Sequence, residues 1–173
     1  FWQVLQQHLV NSIQPNPSVV DYDLTIIIAT IPGGTQDDPS GCLARLTNAS
    51  NYYAGMAYTG GRNPDTRMTK VVAGVRTNLG TSNDAWAATD TFKFEIRDAT
   101  KKIFRNGGEV LSSTDNVLTA AGRVGIGWGN VEVATDDVAA AFDWDDWDAT
   151  EIVPGAGPTG PPVGSLQLMG AGV

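Results

Sequence analysis

Side chains that do acid–base or nucleophilic chemistry are scarce in this sequence. A serine or cysteine triad needs a histidine base, and the one histidine, His8, lies close to the amino end. Cys42 is the only cysteine. No intrachain disulfide can form, and neither a Cys-x-x-Cys zinc site nor an iron–sulfur site is available. In Gly41-Cys42-Leu43 the thiol reads as a small core residue rather than a nucleophile. Glu132, Asp136, Asp137, Asp143, Asp145, Asp146 and Asp148 invite a calcium reading, since hard cations favour clustered carboxylates. Yet Asp143-Trp144-Asp145-Asp146-Trp147-Asp148 lacks the glycine and closing glutamate of an EF-hand loop. Alternating Asp and Trp is also the pattern of a strand with one buried and one wet face, and we expect that strand, with no metal and no cofactor.

What remains is recognition. Sugar rings are bound by aromatic faces with polar partners nearby. Candidates are Tyr58 beside Arg62 and Asn63, Trp86 after Asn83 and Asp84, and Trp128 beside Asn130, all near loops or strand ends. Each ring has ordinary packing as its competing reading. Arg45, Arg67 and Arg76 fall inside strand candidates, where a sheet face could offer them to an anionic or hydroxyl-rich ligand. They read equally as solvated positions or as partners of the acidic carboxy-terminal segment.

The elements that would position these groups are short strands. Of 173 residues 42% are hydrophobic and 17% charged, with 20 Gly and 9 Pro, which fits one turn-rich globular domain. The run Tyr22–Ile31 is β-branched and ends at Pro32-Gly33-Gly34. Further strands are expected at Cys42–Leu46, Tyr52–Thr59, Arg67–Ala73 and Val75–Leu79, the last two meeting around Gly74. Phe92-Lys93-Phe94-Glu95-Ile96-Arg97 alternates with period two, three side chains on the core face and three in water. Lys102–Arg105 and Glu109–Ser113 flank Asn106-Gly107, a pair that supplies the positive φ angles of a tight hairpin. Gly122–Trp128 and Ala139–Trp147 complete the set. Helix signals are confined to Val4–Val10 and Asp136–Ala141, both short of three turns. Pro154 to Gly164 is a Pro/Gly linker, and Leu166-Gln167-Leu168-Met169 an apolar docking tail.

Charge narrows the partners. Residues 45–123 hold all 11 Lys and Arg against 7 acids, whereas residues 124–173 hold 8 acids and no base, within a net charge of −8. An acidic total without a basic cluster excludes phosphate-backbone binding as the main role, so nucleic acid is not an expected partner. No apolar run approaches the ~20 residues of a helical membrane span.

The order of several blocks resembles the concanavalin A-like (laminin G-type) jelly-roll family of phage structural proteins and bacterial surface or secreted proteins. They are Ala44 to Tyr53, Lys70 to Thr77, Phe104-Arg105-Asn106-Gly107, Thr114-Asp115-Asn116-Val117-Leu118-Thr119, Gly122-Arg123-Val124-Gly125-Ile126 and Trp144-Asp145-Asp146-Trp147. The resemblance covers about residues 21–150. It implies an all-β sandwich of two antiparallel sheets, with an extended amino-terminal arm (1–20), the jelly roll (21–152) and a Pro/Gly-rich linker and docking tail (153–173). Family members that hydrolyse glycans carry a Glu-x-Asp-x-x-Glu pattern. Here Glu95, Glu109, Glu132 and Glu151 are the only glutamates and none begins it.

The sequence therefore leads us to expect a non-catalytic module of a virion or cell-surface assembly, such as a phage capsid decoration or fibre component. Its partners would be neighbouring subunits, as a homo-oligomer, with a glycan as candidate ligand through Tyr58, Arg62, Trp86 and Trp128. Since the chain begins at Phe1, we read it as part of a longer or processed polypeptide. The alternative is a carbohydrate-binding module of a secreted or surface-anchored bacterial enzyme.

Overall fold

The computed structural model describes residues 20–30, 39–48, 50–58, 65–128 and 143–151, and the regular elements among them are all β-strands. In order they are β1 (Tyr22–Thr30), β2 (Pro39–Asn48), β3 (Asn51–Tyr58), β4 (Thr66–Val72), β5 (Val75–Ser82), β6 (Thr91–Arg97), β7 (Thr100–Arg105), β8 (Gly108–Thr114), β9 (Arg123–Trp128) and β10 (Asp143–Glu151). Sheet A has the order β10-β1-β6-β7-β8 and sheet B the order β5-β4-β3-β2-β9.

The period-two pattern decides which side chains meet between the sheets. Tyr22, Leu24, Ile26 and Ile28 of β1 and Phe92, Phe94 and Ile96 of β6 are all buried in one cluster with Cys42, Tyr53, Met68, Ile103 and Val124. Each large apolar side chain so enclosed contributes about 1.5–3 kcal/mol. Their neighbours Asp23, Lys93, Glu95 and Arg97 lie on the outer face of sheet A. There Arg97 Nη2 pairs with Asp23 Oδ1 at 2.7 Å and Lys93 Nζ with Glu95 Oε2 at 3.1 Å. The glycine at 55 lets the sheets approach, since a Cβ there would stand 2.9 Å from Phe94 Cδ2.

Sheet B is apolar on both faces. Leu43, Leu46, Tyr52, Ala54 and Val71 alternate with the intersheet residues and form a second buried cluster with Met56 against it. This explains why Tyr52-Tyr53-Ala54 reads as a continuous apolar run rather than an alternation.

Two tight turns have the geometry their residues require. Asn106 and Gly107 have φ of 50° and 83°, and Ala73 and Gly74 have 50° and 80°. Register irregularities mark the pairing of every edge strand, β10 with β1, β9 with β2, β5 with β4 and β8 with β7. Bulged edges twist away from edge-to-edge association.

Two strands differ from expectation. β2 starts at Pro39 rather than Cys42, and a proline is tolerated at a strand's first position. β10 spans Asp143–Glu151 and so extends past the expected end at Trp147, with Trp144 paired to Ile28 and Trp147 to Ile26, while residues 139–142 lie outside the described residues. The helix signals, His8, the arm, the linker and the tail lie outside the described residues.

Candidate functional site

Strand direction sends five connections to one end of the sandwich. Residues 31–38, 59–65, 83–90, 106–107 and 129–142 join β1 to β2, β3 to β4, β5 to β6, β7 to β8 and β9 to β10. Of the four sequence-derived ligand candidates, Tyr58, Trp86 and the backbone of Trp128 come to this loop end. Tyr58 closes β3, Trp86 lies between β5 and β6, and Trp128 closes β9 opposite Ser40 of β2. Arg62 belongs to the β3–β4 connection, outside the described residues, as does the side chain of Trp128.

The two described rings are packed rather than open. Tyr58 is 5% exposed, with the Arg67 guanidinium 5.2 Å from its ring centroid. Its backbone N–H donates to Asp65 O at 2.8 Å, which pins the foot of the loop carrying Arg62. Trp86 is 8% exposed and belongs to the intersheet core. Its Nε1–H donates to Thr66 Oγ1 at 2.9 Å, and its ring lies 5.2 Å from that of Phe92 at a tilt of 47°. Packing, the competing reading for both, accounts for these contacts. In the described geometry they support the loops rather than offer a free ring face.

Asp90 ties the Trp86 loop to the β7–β8 hairpin. Its Oδ2 accepts from Ala87 N at 2.8 Å and Arg105 Nε at 2.7 Å, and its Oδ1 from Asn106 Nδ2 at 2.6 Å. Arg105 in turn sits 5.9 Å from the Trp86 ring centroid. Burial works to raise the Asp90 carboxyl, but the bonds from Asn106, Ala87 and Arg105 outweigh it and hold it below the usual 3.8. Nearby, burial and then the Asp84 charge push the Asp65 carboxyl up, and Ser82 Oγ–H donates to Asp84 Oδ2. No group of three metal-ligating side chains occurs among the described residues.

The flagged arginines separate. Arg67 and Arg76 lie on the outer face of sheet B, opposite Met56 and Val71 respectively. Arg45 is 1% exposed, bonded to Val20 O at 3.0 Å and Leu118 O at 2.7 Å, so it belongs to the opposite end and to no ligand face. Sequence reasoning missed Lys101 and Asp90 as buried polar centres. The adjacent Lys101-Lys102 pair gives no sign of which lysine faces inward.

Two facing five-stranded antiparallel sheets in this order define a concanavalin A-like jelly roll. No family model and no curated protein matches the sequence. Among solved structures the chain resembles the carbohydrate-binding module CBM66 from Bacillus subtilis (TM-score 0.52, 17% identity, 62% of this chain and 66% of that one). It also resembles sheep galectin-11 in complex with glycerol (0.56, 10%, 79% and 95%). A third match is a GH43 protein from Bacillus licheniformis (0.52, 14%, 77% and 28%). The chain thus spans less than a third of the GH43 protein and just under two thirds of CBM66. At these identities the likeness is one of fold.

Proposed function

We propose that the chain is a non-catalytic glycan-binding module whose ligand is held at the loop end. One observation carries this reading: the topology brings Tyr58, Trp86 and the backbone of Trp128, three positions far apart in sequence, to one end of the sandwich. Tyr58 and Trp86 serve as supports, and Arg62 and Trp128 as the contacting groups. The resemblance to a carbohydrate-binding module and a galectin agrees with this role. The test is a glycan array followed by titration calorimetry on the best hit. Arg62→Ala and Trp128→Ala are expected to weaken binding at least tenfold, or about 1.4 kcal/mol, while Lys102→Ala on the outer face of sheet A leaves it unchanged. An array without a hit, or loop-end variants that bind like wild type, overturns the proposal.

A second reading is a structural subunit of a virion or other extracellular assembly, made as a homo-oligomer with neighbouring subunits. It is favoured by the apolar sequences Phe1-Trp2-Gln3-Val4-Leu5 and Leu166-Gln167-Leu168-Met169 near the two ends. Because three of the four edge strands, β10, β5 and β8, carry a bulge, such an assembly would use faces or arms rather than strand pairing at those edges. Light scattering of the full chain distinguishes a defined oligomer from a monomer.

A further inference from the structure

The end opposite the loops is crossed by the β8–β9 connection, residues 115–122, which runs from the edge of sheet A to the edge of sheet B. It is fastened like a strap. Asp115 N donates to Ala99 O at 2.8 Å. The Asp115 carboxylate accepts from Tyr53 Oη at 2.6 Å, Lys70 Nζ at 2.5 Å and Val117 N at 3.1 Å. Leu118 N donates to Tyr53 Oη at 3.1 Å, Leu118 O accepts from Arg45 Nη1 at 2.7 Å, and Gly122 O accepts from Tyr22 Oη at 3.2 Å. A Cβ at Gly122 would stand 2.5 Å from the backbone carbonyl carbon of Arg45, so the strap lies flat on β2.

Beneath the strap sits Lys101, which is 0% exposed. Its ammonium donates to two neutral backbone carbonyls, Asp98 O at 2.7 Å and Asp115 O at 2.5 Å, and lies 4.6 Å from the Tyr53 ring centroid. Neither bond reaches a carboxylate. The groups around it are Arg45 from β2, Tyr53 from β3, Asp21 just before β1, Asp98 from the β6–β7 turn and Asp115 from the strap, whose carboxylate also holds Lys70 of β4. The Arg45 guanidinium is equally buried, its Nη2 lacks a hydrogen-bond partner, and its ion pair with Asp21 is 3.5 Å long. Two cations are thus enclosed at one end with hydrogen bonds to backbone carbonyls and none to a carboxylate, an arrangement that penalises the charged form of the one able to lose a proton. A neutral amine would still have two hydrogens for the same two carbonyls.

We propose that Lys101 makes this strap proton-linked: the closed end is held tightest when the amine is neutral, and proton uptake loosens residues 115–122. Burial, then the charge of Arg45, lowers the Lys101 pKa from the usual 10.5 to about 8, against the opposing pull of Asp115, Asp98 and Asp21. Between those two values an opened or unfolded chain binds the extra proton, so the Lys101 contribution to stability rises with pH across that window and is least below pH 8. The full span of the shift, from 10.5 to about 8, corresponds to a factor of about 300 in the unfolding equilibrium.

The test uses the whole chain. Urea unfolding of wild type and Lys101→Met at pH 7, 8, 9 and 10 gives a difference in which the titrations of Cys42 and the tyrosines cancel. That difference is expected to move at least tenfold in favour of wild type between pH 7 and pH 10, and a difference independent of pH overturns the proposal. Should the variant fail to fold, NMR of the four lysine side chains in wild type decides. One lysine titrating near pH 8 supports the strap, and all four titrating above pH 10 refutes it.

Discussion

Replacing Asp90 tests how the loop end is held together. The carboxylate is 6% exposed and takes three hydrogen bonds, from Ala87 N, Arg105 Nε and Asn106 Nδ2. A hydrogen bond to a charged group contributes about 1.5–3 kcal/mol net. The Arg105 side chain is 32% exposed, so water screens its share toward the roughly 0–1 kcal/mol of a surface pair. Asp90→Ala should therefore cost about 2–4 kcal/mol at pH 7, and Asp90→Asn, which keeps the volume and one acceptor, about 1–2 kcal/mol. Because the native carboxyl is held below 3.8, its contribution is fully present above that value and is lost as pH falls through the native pKa. Urea unfolding from pH 7 to pH 2.5 measures both effects, and the gap between wild type and Asp90→Asn should narrow toward the acid end. An Asp90→Ala cost under about 0.5 kcal/mol, or a gap unchanged at pH 2.5, would refute the reasoning.

Three further outcomes follow from the core and the strap. Gly55→Ala should destabilise by about 1–3 kcal/mol in urea unfolding, because the new methyl meets Phe94 and Ile103 across the sheets. Tyr53→Phe should cost about 1–2 kcal/mol in the same assay, since Asp115 loses a donor and the Leu118 N–H its acceptor. Cys42, buried and with its thiol pushed well above the usual range, should ignore Ellman's reagent at pH 8 until urea unfolds the chain.

Most of the fold was legible because period two is a strong signal where one face is wet. Phe92 to Arg97 alternates without exception, and its three apolar residues are each 0% exposed. The Asn106-Gly107 hairpin was legible from turn chemistry alone. β10 runs past its expected end at Trp147 to Glu151, because Asp148-Ala149-Thr150-Glu151 carries no apolar alternation to signal a strand. The arrival of Tyr58, Trp86 and the backbone of Trp128 at one end was invisible in sequence, since it depends on which direction each strand runs. The burial of Tyr58 and Trp86 was equally hidden, because a ring beside a loop looks the same whether it faces sugar or core. The burial of Arg45 and Lys101 was hidden for a related reason: a charged residue in a strand reads as wet, and only the chain folded over that end encloses it.

The central claim is that the loop end, and not the strap end, meets a glycan. Chemical-shift mapping of the isotopically labelled chain with the strongest array hit addresses it directly. The account predicts shifts confined to residues 58–65, 83–90 and 126–130, with Asp115 to Gly122 unmoved. Shifts centred on the strap or on the outer face of sheet A, or none at saturating sugar, would contradict it.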